Sequence, residues 1–195
     1  MTTLAAFQGN GFAIIGADSR ATDSGGGAFI LSNAKVTWDP ENEYIFAVTG
    51  ASRGGNLIQQ GWIPPQPPMF TDINKLDIFM TQVFIPQLRE HFIDSGFDAK
   101  DDGDAAFMDS AFLVAVQGVI YPIFEDYGWD RDARNIYWFG SGGDIALGAM
   151  AAMGIDKCKD NPKEAKKIIK KAIEISCQWN AYCLPPVVIE TQYAD

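Results

Sequence analysis

Across its 195 residues the chain carries 25 Asp and Glu against 15 Lys and Arg, a formal net charge of −10, with 47% hydrophobic residues. That acidity argues against nucleic acid or an anionic membrane surface as the main partner, because both favour a basic patch, and the hydrophobic content suffices for one sizeable core, read as a single domain over residues 1–195. No apolar run approaches the roughly 18 residues of a membrane span, and the start lacks the basic region and apolar core of a signal segment, so a cytoplasmic location is expected.

Thr2 to Phe7 and Phe12 to Ala17 are short runs of strand formers around Gln8-Gly9-Asn10-Gly11, where Asn-Gly is a strong hairpin signal. The hairpin returns Asp18 to the side of the N-terminus. Ser24-Gly25-Gly26-Gly27 reads as a flexible turn before a strand at Ala28 to Leu31. Lys35 to Trp38 and Tyr44 to Val48 are the next strands, the second running into Thr49-Gly50-Ala51-Ser52.

A helix starts near Ser52 and is interrupted at Gly61 to Pro68, where four prolines remove donors and fix φ. That segment is either a surface insertion or an inter-subunit contact built on Trp62 and Met69. From Asn74 to Ser95, apolar residues at Leu76, Phe79, Met80, Val83, Phe84, Leu88 and Phe92 recur close to every 3.6 residues, which predicts a helix despite Pro86. Asp98 to Asp109 follows as a solvated acidic loop rather than a calcium loop, since Lys100 stands where an oxygen ligand is needed.

Strands follow at Phe112 to Val116, Val119 to Phe124 and Asn135 to Phe139, then a small-residue helix from Asp144 to Met153. Asn161-Pro162 is a helix N-cap with proline in the first turn. Behind it, Ala165, Ile168, Ile169, Ala172, Ile173 and Cys177 trace one apolar face, and the lysines between Lys157 and Lys171 form the wet one. Val187 to Ile189 is a terminal strand. This order of strands and helices is α+β and suits two packed sheets with helices outside.

Cys158, Cys177 and Cys183 are odd in number and lack paired spacing, which fits reduced thiols. The single histidine, His91, falls on a polar position of its helix and reads as a surface or interface residue. Ser/His/Asp and Cys/His catalysis need a histidine beside the nucleophile, and a zinc site needs several His or Cys ligands, so neither is expected. The N-terminus offers another base. A hydroxyl residue directly behind Met1 becomes, once Met1 is removed, a terminus whose α-amine and Oγ sit on one residue. Such an amine titrates near pH 7.7 to 8, so a useful fraction is free at neutral pH to accept the hydroxyl proton.

Thr2-Thr3-Leu4-Ala5, Gly11 and Gly16-Ala17-Asp18-Ser19-Arg20-Ala21-Thr22 resemble the opening of proteasome β-type subunits and of the bacterial HslV peptidase, both N-terminal-nucleophile hydrolases. The likeness continues through Asn33 to Val36, Thr49-Gly50-Ala51, Gly140-Ser141-Gly142-Gly143-Asp144 and the segment from Ala172 to Glu190. It implies a four-layer αββα sandwich. It further implies Thr2 as nucleophile, Lys35 as the ammonium that favours the alkoxide and lowers the amine's pKa, and Asp18 as the partner that orients Lys35. Gly50 matches the glycine whose N–H serves an oxyanion hole, Ser141 the serine that supports the terminal amine, and Val48 a wall of the primary specificity pocket. Asn180 and Cys183 stand where proteasome β subunits usually have an Asp and a Ser to hold that amine.

No cofactor or metal is implied. The implied partners are further copies in a homo-oligomeric ring, unfolded polypeptide substrates and an ATPase that unfolds them, with subunit contacts expected at Ala146, Ala149 and Met150. A small-substrate amidase and an inactive ring-forming or scaffold subunit of the same fold stay open as alternatives.

Overall fold

The computed structural model describes residues 1–22, 27–39, 41, 43–69, 72–98 and 106–194. Positions 24–26 of the expected glycine turn and 99–105 of the acidic loop lie outside them. In chain order the elements are β1 (Leu4–Gly9), β2 (Phe12–Ala17), β3 (Arg20–Thr22), β4 (Ala28–Ile30), β5 (Val36–Asp39), β6 (Tyr44–Gly50) and α1 (Ser52–Gly61). Then come α2 (Ile73–Phe79), a π-helical turn (Met80–Phe84), α3 (Ile85–Asp94), β7 (Ser110–Val116), β8 (Val119–Ile123) and β9 (Ile136–Phe139). The chain ends through α4 (Gly143–Ala152), a 3-10 turn (Ile155–Cys158), α5 (Pro162–Trp179) and β10 (Val188–Tyr193). No helix among the described residues is long and apolar enough to cross a membrane.

Among the described residues, two antiparallel sheets of four strands, in the orders β10-β2-β1-β9 and β5-β6-β7-β8, accompany a small antiparallel β3-β4 pair. The Asn10-Gly11 turn closes the first hairpin, with Gly11 at φ +74 and Leu4 opposite Ala17 in register. Side chains alternate across each sheet. Leu4, Ala6 and Ile15 share a cluster with Ile45, Ala47, Leu113 and Ile120 of the other sheet. Ala5, Phe7 and Ile14 instead pack on Ala146, Met150, Ile169 and Ile173 of α4 and α5. On the second sheet, Tyr44, Phe46, Phe112 and Tyr121 meet Leu76, Met80, Phe84 and Phe92 of the helical segment 73–94. Both faces of these strands are covered, which is why β2 and β7 are buried along their whole length. Each buried large side chain contributes about 1.5–3 kcal/mol.

Packing refines one expectation and corrects others. The helix from 73 to 94 is continuous but carries the π turn directly before Pro86, which lacks an N–H and would press its ring on the carbonyl four residues back; the widened turn makes room. Trp62 does not face outward: it packs on Phe84 at 5.2 Å, nearly edge-on, and on Phe46 at 6.0 Å. His91 lies beside it, half-buried, stacked on Trp62 at 6.3 Å with Nε2 3.2 Å from the Leu57 carbonyl. The proline-rich segment is tied down by Tyr44 Oη donating to the Pro65 carbonyl and Gln117 Nε2 to that of Pro68, while Met69 stays 87% exposed. Ala146 and Met150 are fully buried inside their own chain, so they hold α4 against α5 and β1 and are not free for a subunit contact. On α5 the buried face ends at Ser176, and Cys177 is only half-buried.

Candidate active site

Thr2 and Thr3 precede β1, and the hairpin register sets Asp18, the residue after β2, directly beneath them. Asp18 Oδ1 accepts from the Thr3 backbone N–H and from Lys35 Nζ, each at 2.9 Å. Its Oδ2 accepts from the N–H groups of Arg20 at 3.0 Å and Leu184 at 3.3 Å. The Asp18 side chain is wholly buried and that of Lys35 is 7% exposed. Removing two charges from water costs several kcal/mol per ion, which only close pairing and well-satisfied hydrogen bonds offset; four donors on one carboxylate meet that requirement. Lys35 Nζ also donates to the Met1 carbonyl at 3.2 Å. The ammonium therefore stands beside the peptide group that joins Met1 to Thr2.

The loop between β9 and α4 presses against the same segment. Gly142 N–H donates to the Thr2 carbonyl at 3.1 Å. Gly140 adopts φ +82, and a Cβ there would stand 2.2 Å from the Thr2 carbonyl oxygen, so no other residue fits. A Cβ on Gly142 would fall 2.0 Å from Thr3 Oγ1 and 2.3 Å from Ser176 Oγ.

Behind Thr3 lies a small buried polar cluster. Thr3 Oγ1 is 2.8 Å from Ser176 Oγ and donates to Cys183 Sγ at 2.9 Å, while Ser176 donates to the Gly142 carbonyl at 2.9 Å. Burial pushes the Cys183 thiol above its ordinary range, so it stays protonated. Asn180, the C-cap of α5, donates from Nδ2 to the Ser141 carbonyl at 2.8 Å and accepts from Tyr182 N–H at 2.9 Å. Ser141 itself is exposed.

Val48 and Gly50 come from the end of β6. Gly50 has φ +100, and a Cβ on it would meet the Asp109 carbonyl at 2.5 Å, so strand pairing with Ser110 already demands glycine there. A cavity of about 150 Å3 is lined by Thr2, Lys35, Val48, Gly50 and Ala51, among others. The fold thus gathers Thr2, Lys35, Val48 and Gly50 on one cavity wall, with Asp18 beneath. Ser141, Asn180 and Cys183 stand on the other side of the N-terminal segment and reach it through Gly142 and Thr3. Among the described residues no group of three or more His, Cys, Asp or Glu could hold a metal ion.

Sequence reasoning passed over Thr3, Ser176 and Gly142. The available signal was Ser176, a hydroxyl three residues after Ile173 on an otherwise apolar helix face.

No protein-family model and no curated protein sequence matches the chain. Solved structures do. Thiobacillus denitrificans BPH superposes with a TM-score of 0.70 at 18% identity, covering 99% of this chain and 98% of that one. HslV from Trypanosoma brucei gives 0.63 at 14% identity, over 98% and 99%. The Anbu (Gly-1) mutant from Hyphomicrobium sp. strain MC1 gives 0.65 at 13% identity, over 100% and 85%. All three are proteasome-type subunits among the N-terminal-nucleophile hydrolases, and along its whole length this chain has their fold.

Proposed function

We propose that the chain is a threonine peptidase that acts on unfolded polypeptides inside a homo-oligomeric ring. The observation that carries the reading is Lys35 Nζ, held by buried Asp18 at 2.9 Å and reaching the Met1 carbonyl at 3.2 Å beside Thr2. In this reading Met1 is removed and the exposed α-amine of Thr2 takes the Oγ proton as Oγ attacks the substrate carbonyl. The Lys35 ammonium favours the alkoxide and disfavours protonation of the amine. Gly50 N–H receives the oxyanion. The amine passes its proton to the leaving nitrogen, and water then hydrolyses the ester on Thr2, regenerating the hydroxyl. Thr3, Ser176, Cys183, Asn180 and the loop at 140–142 position the Thr2 backbone, and Val48 favours an apolar side chain in the cavity beside Lys35. Of the activities open to this fold, the buried Lys35–Asp18 pair favours hydrolysis over an inactive scaffold.

The layering fits the αββα sandwich: the sheets share one apolar cluster, while the other face of each packs on helices. For the ring, Met69, Ile63 and Trp179, at 87%, 81% and 79% exposure, are apolar surface that a subunit contact would cover. Enclosure would in turn call for an ATPase that delivers unfolded chains. Thr2→Ala tests the proposal: turnover of an unfolded protein should vanish while the thermal transition stays within a few degrees of the parent, and undiminished turnover would end it. Mass photometry should show one species many times 21.3 kDa; a fully active monomer would favour a small-substrate amidase.

A further inference from the structure

A second and larger cavity, of about 650 Å3, opens on the other side of Gly50. Gly50 lines both cavities, and the larger one also takes Gly140, whose absent Cβ would stand 3.1 Å from the Thr2 Cβ. It therefore starts against Thr2 and leads away from Lys35. Its size lies within the roughly 300–1,000 Å3 common for ligand sites. Phe107 and Phe124 border it at 50% and 40% exposure, with Trp129 further along the wall. The lining also carries three carboxylates, Glu125, Asp126 and Asp130, and among the described residues no Lys, Arg or His is part of it. All three are exposed; Asp126 also fixes its turn by accepting from Gly128 N–H at 2.9 Å. Arg131, the next residue along, is paired with Asp77 and lies over the Tyr121 and Trp129 rings at 5.2 Å from each centroid, so its charge is compensated nearby.

We infer that this cavity is a specificity site for a Lys or Arg side chain of the polypeptide substrate. The inference rests on the peptidase reading above. An extended chain turns successive side chains to opposite sides, so a strand laid across Gly50 presents one residue to the cavity at Val48 and its neighbour to this one. The aromatic walls cover the aliphatic stem of a long basic side chain and offer ring faces to its cation. The carboxylates decide the sign: they attract that head group and repel an acidic one.

The test measures binding apart from cleavage, using the full-length Thr2→Ala protein. Its probes are blocked dodecapeptides, identical except for a central pair, Val-Lys, Val-Gln or Val-Glu, in both orders. By calorimetry the Lys peptide should bind about tenfold more tightly than the Gln peptide in one order, and the Glu peptide most weakly. In a Glu125→Gln/Asp130→Asn protein the Lys and Gln peptides should bind alike. Asp156→Asn/Glu90→Gln, which removes the same charge elsewhere on the surface, should keep the preference. Equal binding of Lys and Gln peptides in both orders would overturn the inference, as would a Lys preference that survives Glu125→Gln/Asp130→Asn or disappears in Asp156→Asn/Glu90→Gln. Failure of the parent protein to cut any peptide would count against the peptidase reading instead and leave these affinities readable.

Discussion

Gly142→Ala puts the packing around the N-terminal segment to a quantitative test. The new Cβ would stand 2.0 Å from Thr3 Oγ1, 2.3 Å from Ser176 Oγ and 2.9 Å from Cys183 Sγ. Ordinary contact begins near 3.4 Å, so the loop or Thr3 must move by about 1.4 Å. Overpacking of this kind costs about 1–3 kcal/mol. The movement also strains two hydrogen bonds, Gly142 N–H to the Thr2 carbonyl and Ser176 Oγ to the Gly142 carbonyl, each worth roughly 0.5–1.5 kcal/mol. A net loss of about 3 kcal/mol should lower Tm by about 6–12 °C in a chain of this size. A shift of Thr2, the proposed nucleophile, by about 1 Å should cost about a hundredfold in kcat. Thermal denaturation and peptide turnover read the two effects. Wild-type Tm and turnover in Gly142→Ala would show that the contacts around Thr3 do not hold the nucleophile.

Lys35→Met should cut kcat by two to three orders of magnitude, because a charge aimed at the reacting group is worth about 3–4 kcal/mol, and should lower Tm by leaving Asp18 buried without its ion-pair partner; turnover within about threefold of the parent would exclude the role. Phe84→Ala, at the meeting point of Tyr44, Phe46 and Trp62, should cost about 3–5 kcal/mol in denaturant unfolding, and a loss under about 1 kcal/mol would mean the helical segment packs elsewhere. Burial pushes the Cys177 thiol up to about 12. The folded state then holds that proton more tightly than the unfolded one, so this contribution to stability is full below about pH 8.5 and is lost as pH rises toward about 12. Cys177→Ala should therefore lose less Tm than the parent between pH 8.5 and 11, and parallel curves would contradict the assignment.

Much of this could be read locally, and the misreadings share one cause. Asn10-Gly11 announced the hairpin, and the hairpin alone brings Asp18 to Thr3. Asn161, whose side chain accepts from Glu164 N–H at 3.1 Å, and Pro162 marked the start of α5. Period, however, does not say what a helix face meets. Positions 176 and 177 both continue the stripe from Ile173; the apolar choice was Cys177, yet the buried residue is Ser176, because Thr3 and Gly142 there supply polar partners. Ala146 and Met150 looked like surface for another subunit because small residues serve close helix packing within and between chains alike. Trp62 was hidden by its prolines, which signal an extended segment but not the direction of the ring. Lys35 and Asp18 lie 17 positions apart, just before β5 and just after β2, strands of different sheets, so only the resemblance paired them before the fold did.

The nucleophile is the claim on which the rest depends. An epoxyketone directed at N-terminal threonines offers the most direct measurement: intact mass followed by peptide mapping of the protein after incubation with it. The account predicts a chain lacking Met1 that carries one inhibitor molecule, mapped to Thr2. An unmodified chain, or an adduct on Ser141 or Cys183, from protein that still hydrolyses peptides would contradict it.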